Sequence, residues 1–185
     1  DRLPPESLLT ASGDQQVFMA EADRIPRVLL EIGRLRELTF RAVGEGTGRA
    51  LDIDRYDEAY EHLFIWNAAD RQVVGAYRIG RTDDLIAAGG PPDLYTSSLF
   101  RYNRKLFDVM GPALEMGRSF IQPSYQRSFA GLLLLWKGIG QFVVRNPKYA
   151  TLFGPVSISA DYRSSSQQLI AAFLKHNSYT HPWSK

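Results

Sequence analysis

The sequence predicts an α+β fold with one mixed central sheet and helices on both faces. Two observations carry this expectation. The elements read in the order strand, helix, strand, strand, strand, helix, strand, helix, and a long apolar helix stands between two strands, as a crossover packed on a sheet requires. Length agrees: 185 residues suit a single domain, 1–185, with one sizeable core. Because the chain begins at Asp1 rather than Met, it reads as a piece of something longer.

Taken in order, "QVFMAEA" (16–22) is a short first strand, and "DRIPRVLLEIGRLRELTF" (23–40) is a helix. Its apolar residues Val28, Leu29, Ile32, Leu35 and Leu38 fall at helical spacing, with Asp23 as the expected N-cap and Pro26 in the first turn. Residues 41–60 are rich in glycine and charge, and a long ordered loop of this kind tends to carry function. "EHLFIWNAADRQVVGAYRIG" (61–80) is a hairpin turned at Asn-Ala-Ala-Asp. After a loop and a short amphipathic segment (103–110), "ALEMGRSFIQPSY" (113–125) is a strand that Pro123 ends. "RSFAGLLLLWKGIGQFVVRN" (127–146) is a helix apolar nearly all round, read as buried. Residues 150–159 form a strand, with Pro155 marking an edge or bulge, and 164–178 a last helix with a serine N-cap.

Composition excludes several chemistries. Twenty-two basic against 20 acidic residues leave a net charge of +2, too small to argue for nucleic acid. No cysteine is present, so thiolate catalysis and disulfides are out, and His62, His176 and His181 have no metal-ligand spacing. The apolar run Phe129–Val144 is about 16 residues, short of the roughly 20 that span a bilayer. No targeting segment is visible.

"LDIDRYDEAYEHLFIW" (51–66) crowds Asp52, Asp54, Asp57, Glu58 and Glu61 just before a strand. Arginines at element ends can answer them: Arg34, Arg36 and Arg41 on the first helix, Arg78 and Arg118 within apolar strand patterns. A charge inside such a pattern must be paired or face a cleft. Asp54 and Asp57, at i and i+3, lie on one side of a turn where each can accept an arginine fork. Spacing alone leaves two readings open, a salt-bridge cluster that pins the loop to the sheet and a substrate site.

These residues resemble the acyl-homoserine-lactone synthases. Leu35, Arg36 and Phe40 match that family's L-R-x-x-x-F segment, and "DRYD", with Asp54, Tyr56 and Asp57, its D-x-x-Y-D segment. Arg78 matches an arginine near the end of the next strand, and Glu115 and Arg118 match E-x-x-R. The family's tryptophan a few residues after the phenylalanine is absent, and "VGEGTG" stands there instead. Over roughly residues 15–175 the chain is more similar to the ornithine-lipid N-acyltransferases and relatives often labelled haemolysins.

The resemblance implies a GNAT-like fold and transfer of a 3-hydroxyacyl chain from acyl carrier protein to the α-amine of ornithine or a similar amino acid. The product would be a lyso-aminolipid. It implies no tightly bound cofactor or metal, a 4′-phosphopantetheine thioester as cosubstrate, and a cytoplasmic enzyme working at the inner face of the membrane. A CoA-dependent N-acetyltransferase and a non-catalytic carrier- or membrane-binding domain are the alternatives.

Acyl transfer to an amine needs a base, an oriented thioester and an oxyanion donor. Glu115 is the candidate base, its alternative role being a partner for Arg118 or Arg36. Arg36, Phe40, Asp54, Asp57, Arg78 and Arg118 are the candidate acceptor-binding residues. Ser119, Phe120, Ile121 and Gln122, with a bulge in their strand, are the candidates for holding the donor's arm. Arg127 and Gly131, in a broken version of the Q/R-x-x-G-x-G/A phosphate loop, complete the donor set. Arg127, Lys137, Arg145 and Lys148 can face an acidic carrier protein or form a plain solvated surface.

Overall fold

The sheet has six strands in sequential order: β1 (Leu8–Ser12), β2 (Gln15–Glu21), β3 (Glu61–Asn67), β4 (Gln72–Arg81), β5 (Ala113–Ile121) and β6 (Thr151–Phe153). Every neighbouring pair is antiparallel except β5 and β6. The helices are α1 (Pro26–Arg41), α2 (Thr82–Gly89), α3 (Arg104–Met110), α4 (Ala130–Arg145) and α5 (Ser164–Asn177). The computed structural model describes residues 3–158 and 161–177. The predicted mixed sheet with helices on both faces is therefore present, with one strand more than expected.

Strand alternation sorts the core into two layers. Val17, Met19, Leu63 and Ile65 face Leu135, Ile139 and Phe142 of α4. The interleaved Phe18, Ala20 and Phe64 face Ile32 and Leu35 of α1. A third cluster joins Tyr56 and Tyr60 to Leu85, Leu94 and Phe107, tying α2, α3 and the loop before β3 together.

Several local expectations are corrected. Pro26 opens α1, but Ile25 holds the N-cap position and no side chain caps it; Asp23 lies in a preceding 3₁₀ turn. The stretch after β4, expected as loop with a helical turn, contains the eight-residue α2, about two turns of helix. Helix α4 is buried on one face only, because Leu133 and Trp136 are about half exposed and Phe129, at its N-cap, is 87% exposed. Among the described residues, no helix is long and apolar enough to cross a membrane.

The β3–β4 turn shows its sequence logic. Asn67 Oδ1 accepts from the N–H groups of Ala69 and Asp70, at 3.0 and 3.2 Å, an Asx turn that fixes the hairpin. Two irregularities shape the functional end of the sheet. β5 and β6 pair only from Ala113↔Thr151 to Glu115↔Phe153 and then part, which leaves one side of β5 uncovered. Between Ala76↔Phe120 and Arg78↔Gly117, β5 holds one residue more than β4. The bulge falls at Arg118 and Ser119, at the start of rather than across the 119–122 stretch where one was expected, and Arg118 adopts φ +51° there, a conformation costly for a non-glycine residue.

Candidate functional site

The acids of residues 52–57 are answered by three arginines from three elements. Arg36, on α1, donates Nη1 and Nη2 to the two carboxylate oxygens of Asp57 at 3.0 and 2.9 Å, and also donates to the Asp52 carbonyl. Its Nε lies 3.1 Å from Asp52 Oδ2. Arg78, on β4, donates to Asp54 Oδ1 at 2.5 Å and stands 3.3 Å from Asp57 Oδ2. Arg118, at the bulge of β5, reaches Asp52 and Asp54 at 3.4 and 3.5 Å. Three carboxylates thus meet three guanidiniums, and the cluster is neutral as a unit. Both expected acids, Asp54 and Asp57, lie within reach of arginines; Asp52 completes the set.

Burial decides what each member can do. Arg36, Arg78 and Asp57 are at most 2% exposed, whereas the side chains of Arg118 and Asp54 are 23% and 26% exposed. Burial pushes the Asp57 carboxyl up, but the hydrogen bonds and charge of Arg36, with the charge of Arg78, outweigh it and leave it below the usual carboxylate range. Tyr56, Tyr60 and Tyr95 surround the Arg78 guanidinium, with ring centroids 5.2 to 5.6 Å from it. Arg34 and Arg41 are not members: they pair with Glu31 and Glu37 on their own helix.

Glu115 is 1% exposed and touches none of the three arginines. It accepts from the Tyr60 hydroxyl, from the Tyr95 N–H at 3.1 Å and from the Thr96 N–H at 2.6 Å. The expected partnership with Arg36 or Arg118 is replaced by a phenol and two backbone amides. Burial, then the Glu115 hydrogen bond, pushes the Tyr60 phenol far up, so it remains a proton donor to that carboxylate.

Where β5 and β6 part, a cleft of about 630 Å³ opens, within the range of small-molecule sites. Its walls are largely apolar, with Tyr77, Met116, Trp136 and Leu152, and Phe40 lines it from the end of α1. Gly117, Arg118 and Ser119 of the bulge lie on its wall, whereas Glu115 does not.

The donor set expected from the sequence is only partly assembled there. Ser119 lines the cleft. Phe120 is in the core, and Gln122 is turned into the sheet, with its amide donating to the Val73 carbonyl at 2.6 Å. Ile121 packs beneath α4 and sits 3.1 Å from where a Cβ on Gly131 would stand, so Gly131 serves close helix–strand packing. Arg127 is exposed and does not line the cleft. Residues 116–119, beside the bulge, line the cleft in place of 120–122. Of the basic residues expected to face a carrier protein, Arg145 donates to carbonyls of residues 6 and 8, and Lys148 pairs with Asp83. Arg127 and Lys137 remain exposed.

Three participants were missed from sequence. Tyr60 and Tyr95 bracket Glu115 and Arg78, and His62 Nε2 lies 2.9 Å from the Asp57 carbonyl, within the buried face of β3. Burial holds the His62 imidazole below its ordinary range, so it is neutral and donates there. "DEAYEH" contains two of the three, and alternation along β3 placed His62 inward; nothing local marked Tyr95.

Residues 35–137 match the family described as "Acetyltransferase (GNAT) domain". Over 178 residues the chain is 35% identical to "Glycine N(alpha)-acyltransferase" of Bacteroides thetaiotaomicron, covering 90% of this chain and 53% of that protein. The protein of the same name from Phocaeicola vulgatus is 34% identical over 179 residues, covering 90% of this chain and 55% of its own length. "L-ornithine N(alpha)-acyltransferase" of Rhizobium meliloti is 30% identical over 149 residues, covering 77% of this chain and 48% of that one. The chain spans about half the length of the curated relatives it matches.

Proposed function

The chain belongs to the acetyltransferase (GNAT) family, and from that premise we propose that it moves an acyl group from a thioester to the α-amine of an amino acid. Glycine and ornithine, named in its relatives, are the first acceptors to try. The observation that carries this reading is the cleft that opens where β5 and β6 part, with Arg118 on its wall and paired to Asp52 and Asp54 of the arginine–aspartate cluster. In the transfer, an amide C–N bond forms and the thioester C–S bond breaks. The substrate ammonium first gives up one proton to solvent, the neutral amine attacks, and its second proton goes to the leaving thiolate.

We take the donor to be a long, 3-hydroxylated acyl chain on acyl carrier protein, and the product to be a lyso-aminolipid released at the inner membrane face. Two features support that choice over acetyl-CoA. The cleft walls are apolar and suit an aliphatic chain. The start of α4 offers little to a nucleotide: Gln126 donates to the Ile121 carbonyl at 2.6 Å, and Ser128 accepts from the Ala130 N–H at 3.1 Å. A carrier-borne phosphopantetheine has no nucleotide to hold. Glu115 supports the reaction as a positioning residue, since its carboxylate fixes the Tyr95–Thr96 turn and Tyr60 beside Arg78.

The test is mass spectrometry of lipids from cells producing the protein, which should show new N-acyl amino acids. In purified form, turnover from long-chain acyl carrier protein should far exceed that from acetyl-CoA. Comparable turnover of the two would favour a CoA-dependent acetyltransferase, and no acylated amino acid with either donor would refute the reading.

A further inference from the structure

Within the amino-acid reading, we infer that Glu45 receives the acceptor's ammonium while Arg118 receives its carboxylate, so that the cleft is matched to a zwitterion. Among the residues lining the cleft, Glu45 and Arg118 are the charged ones. The acids first expected to attract the ammonium are already committed. Asp57 is fully buried under Arg36, and Asp52 and Asp54 are paired with arginines. A substrate ammonium would have to displace a guanidinium to reach them. Glu45 is exposed, and among the described residues its carboxylate has neither an ion pair nor a hydrogen bond.

The loop that carries Glu45 is held, not loose. Glu37 Oε2 accepts from the Thr47 hydroxyl and N–H at 2.6 and 2.8 Å, and its Oε1 accepts from the Gly48 N–H at 2.9 Å. The Glu45 N–H itself donates to the Phe40 carbonyl at 2.8 Å. A Cβ on Gly46 would stand 2.8 Å from the Arg41 backbone, so only glycine lets the loop fold back this closely. One carboxylate, buried at the end of α1, therefore positions the next, free one at the cleft. On the wall of the same cleft, Arg118 is strained at the bulge, partly exposed and loosely paired at 3.4 and 3.5 Å, with its buried Nε lacking a partner. Such a guanidinium can turn its fork to an incoming carboxylate. Two opposite poles then hold the amine in one orientation towards the thioester.

The test is steady-state kinetics of the intact protein with glycine and with ornithine, comparing wild type, Glu45→Gln and Glu45→Asp. Loss of a charge-assisted contact raises KM for the amino acid at least about tenfold. The melting temperature stays unchanged, because Glu45 is exposed and its carboxylate has no partner among the described residues, and KM for the acyl donor moves far less than KM for the amino acid, because the donor carries no ammonium for Glu45 to receive. Glu45→Asp, which keeps the charge on a shorter arm, restores part of the loss. Glycine methyl ester, an amine without the carboxylate, should suffer from Glu45→Gln by a similar factor. If wild type acylates glycine or ornithine and Glu45→Gln keeps KM within about twofold, this inference falls and the acceptor reading stands. If wild type acylates other amines but no amino acid, the acceptor reading falls and takes this inference with it.

Discussion

Asp57→Asn is the most informative change to the buried cluster. The side chain keeps its shape but loses its charge, and an NH₂ group now faces donors. The native carboxylate accepts both Arg36 nitrogens at 3.0 and 2.9 Å and the Asp54 N–H at 2.7 Å, and stands 3.3 Å from Arg78. With Asp57 fully buried, the substitution leaves one arginine without its main partner and another with less. Breaking a buried pair costs about 3–5 kcal/mol. At roughly 2–4 °C per kcal/mol for a chain of this size, the melting temperature should fall by roughly 6–20 °C. Thermal unfolding followed by circular dichroism measures this. A double change, Arg36→Met with Asp57→Leu, removes both charges and should regain much of the loss.

The pH dependence follows the same contact. The Asp57 carboxyl lies below its ordinary 3.8 in the folded protein, so its contribution is fully present above that value and is lost as pH falls below it. The gap between wild type and Asp57→Asn should therefore close in acid. A fall of less than about 3 °C at neutral pH, or a gap that does not narrow in acid, would refute the argument that this pair fastens the loop to the sheet.

Other expectations concern separate parts of the molecule. Glu115→Gln removes an acceptor beneath Tyr60 and two amides and should destabilise by about 1–3 kcal/mol, with raised pH recovering no activity; a stable variant losing about 100-fold in kcat and regaining activity at high pH would instead mark Glu115 as the base. The Thr47 hydroxyl, first among its partners, holds the Glu37 carboxyl down to about 2, so the loop should stay fastened at neutral pH and loosen as pH falls from about 4.5 towards that value. Amide hydrogen exchange at Thr47 and Gly48 reads it directly. In α4, Gly138→Ala would place a Cβ 2.6 Å from Val17 and cost about 1–3 kcal/mol despite better helix propensity. Gly140→Ala, with open space around it, should instead stabilise by roughly 1 kcal/mol; equal melting temperatures for the two would show that α4 does not press on β2 as described.

What was legible in the sequence follows from which signals are local. Alternation in "QVFMAEA" and "EHLFIW" and helical spacing in "RVLLEIGRLREL" arise from burial of one face, and the elements appear within a few residues of the expected bounds. β1 was missed although "LLTASGDQQVF" holds a Ser-Gly turn between two short runs, because five residues, the last two of them exposed, give little pattern. The charge cluster was legible because buried arginines demand acids, and the acids stood in one crowded stretch. Which atoms line the cleft was not legible. That depends on a bulge that rotates the backbone at Arg118 and on Tyr95, which arrives from a loop some 20 residues before β5 with no periodicity to announce it. Glu45 was hidden for the opposite reason: an exposed acid in a glycine-rich loop looks like ordinary solvated charge until the fold brings β5 beside it.

The matching of three carboxylates to three guanidiniums also sets how this protein should respond to ionic strength. Mobile ions weaken fields between exposed charges over a Debye length of about 8–10 Å, but they hardly reach pairs from which water is excluded. Arg36, Arg78 and Asp57 are closed off from solvent, so added salt should leave the hold of the 52–57 loop on the sheet nearly intact. A neutral cluster also projects little long-range field, so small charged acceptors are not drawn in from a distance by it. On the acceptor reading proposed above, encounter would then be left to diffusion, and discrimination would begin only inside the cleft.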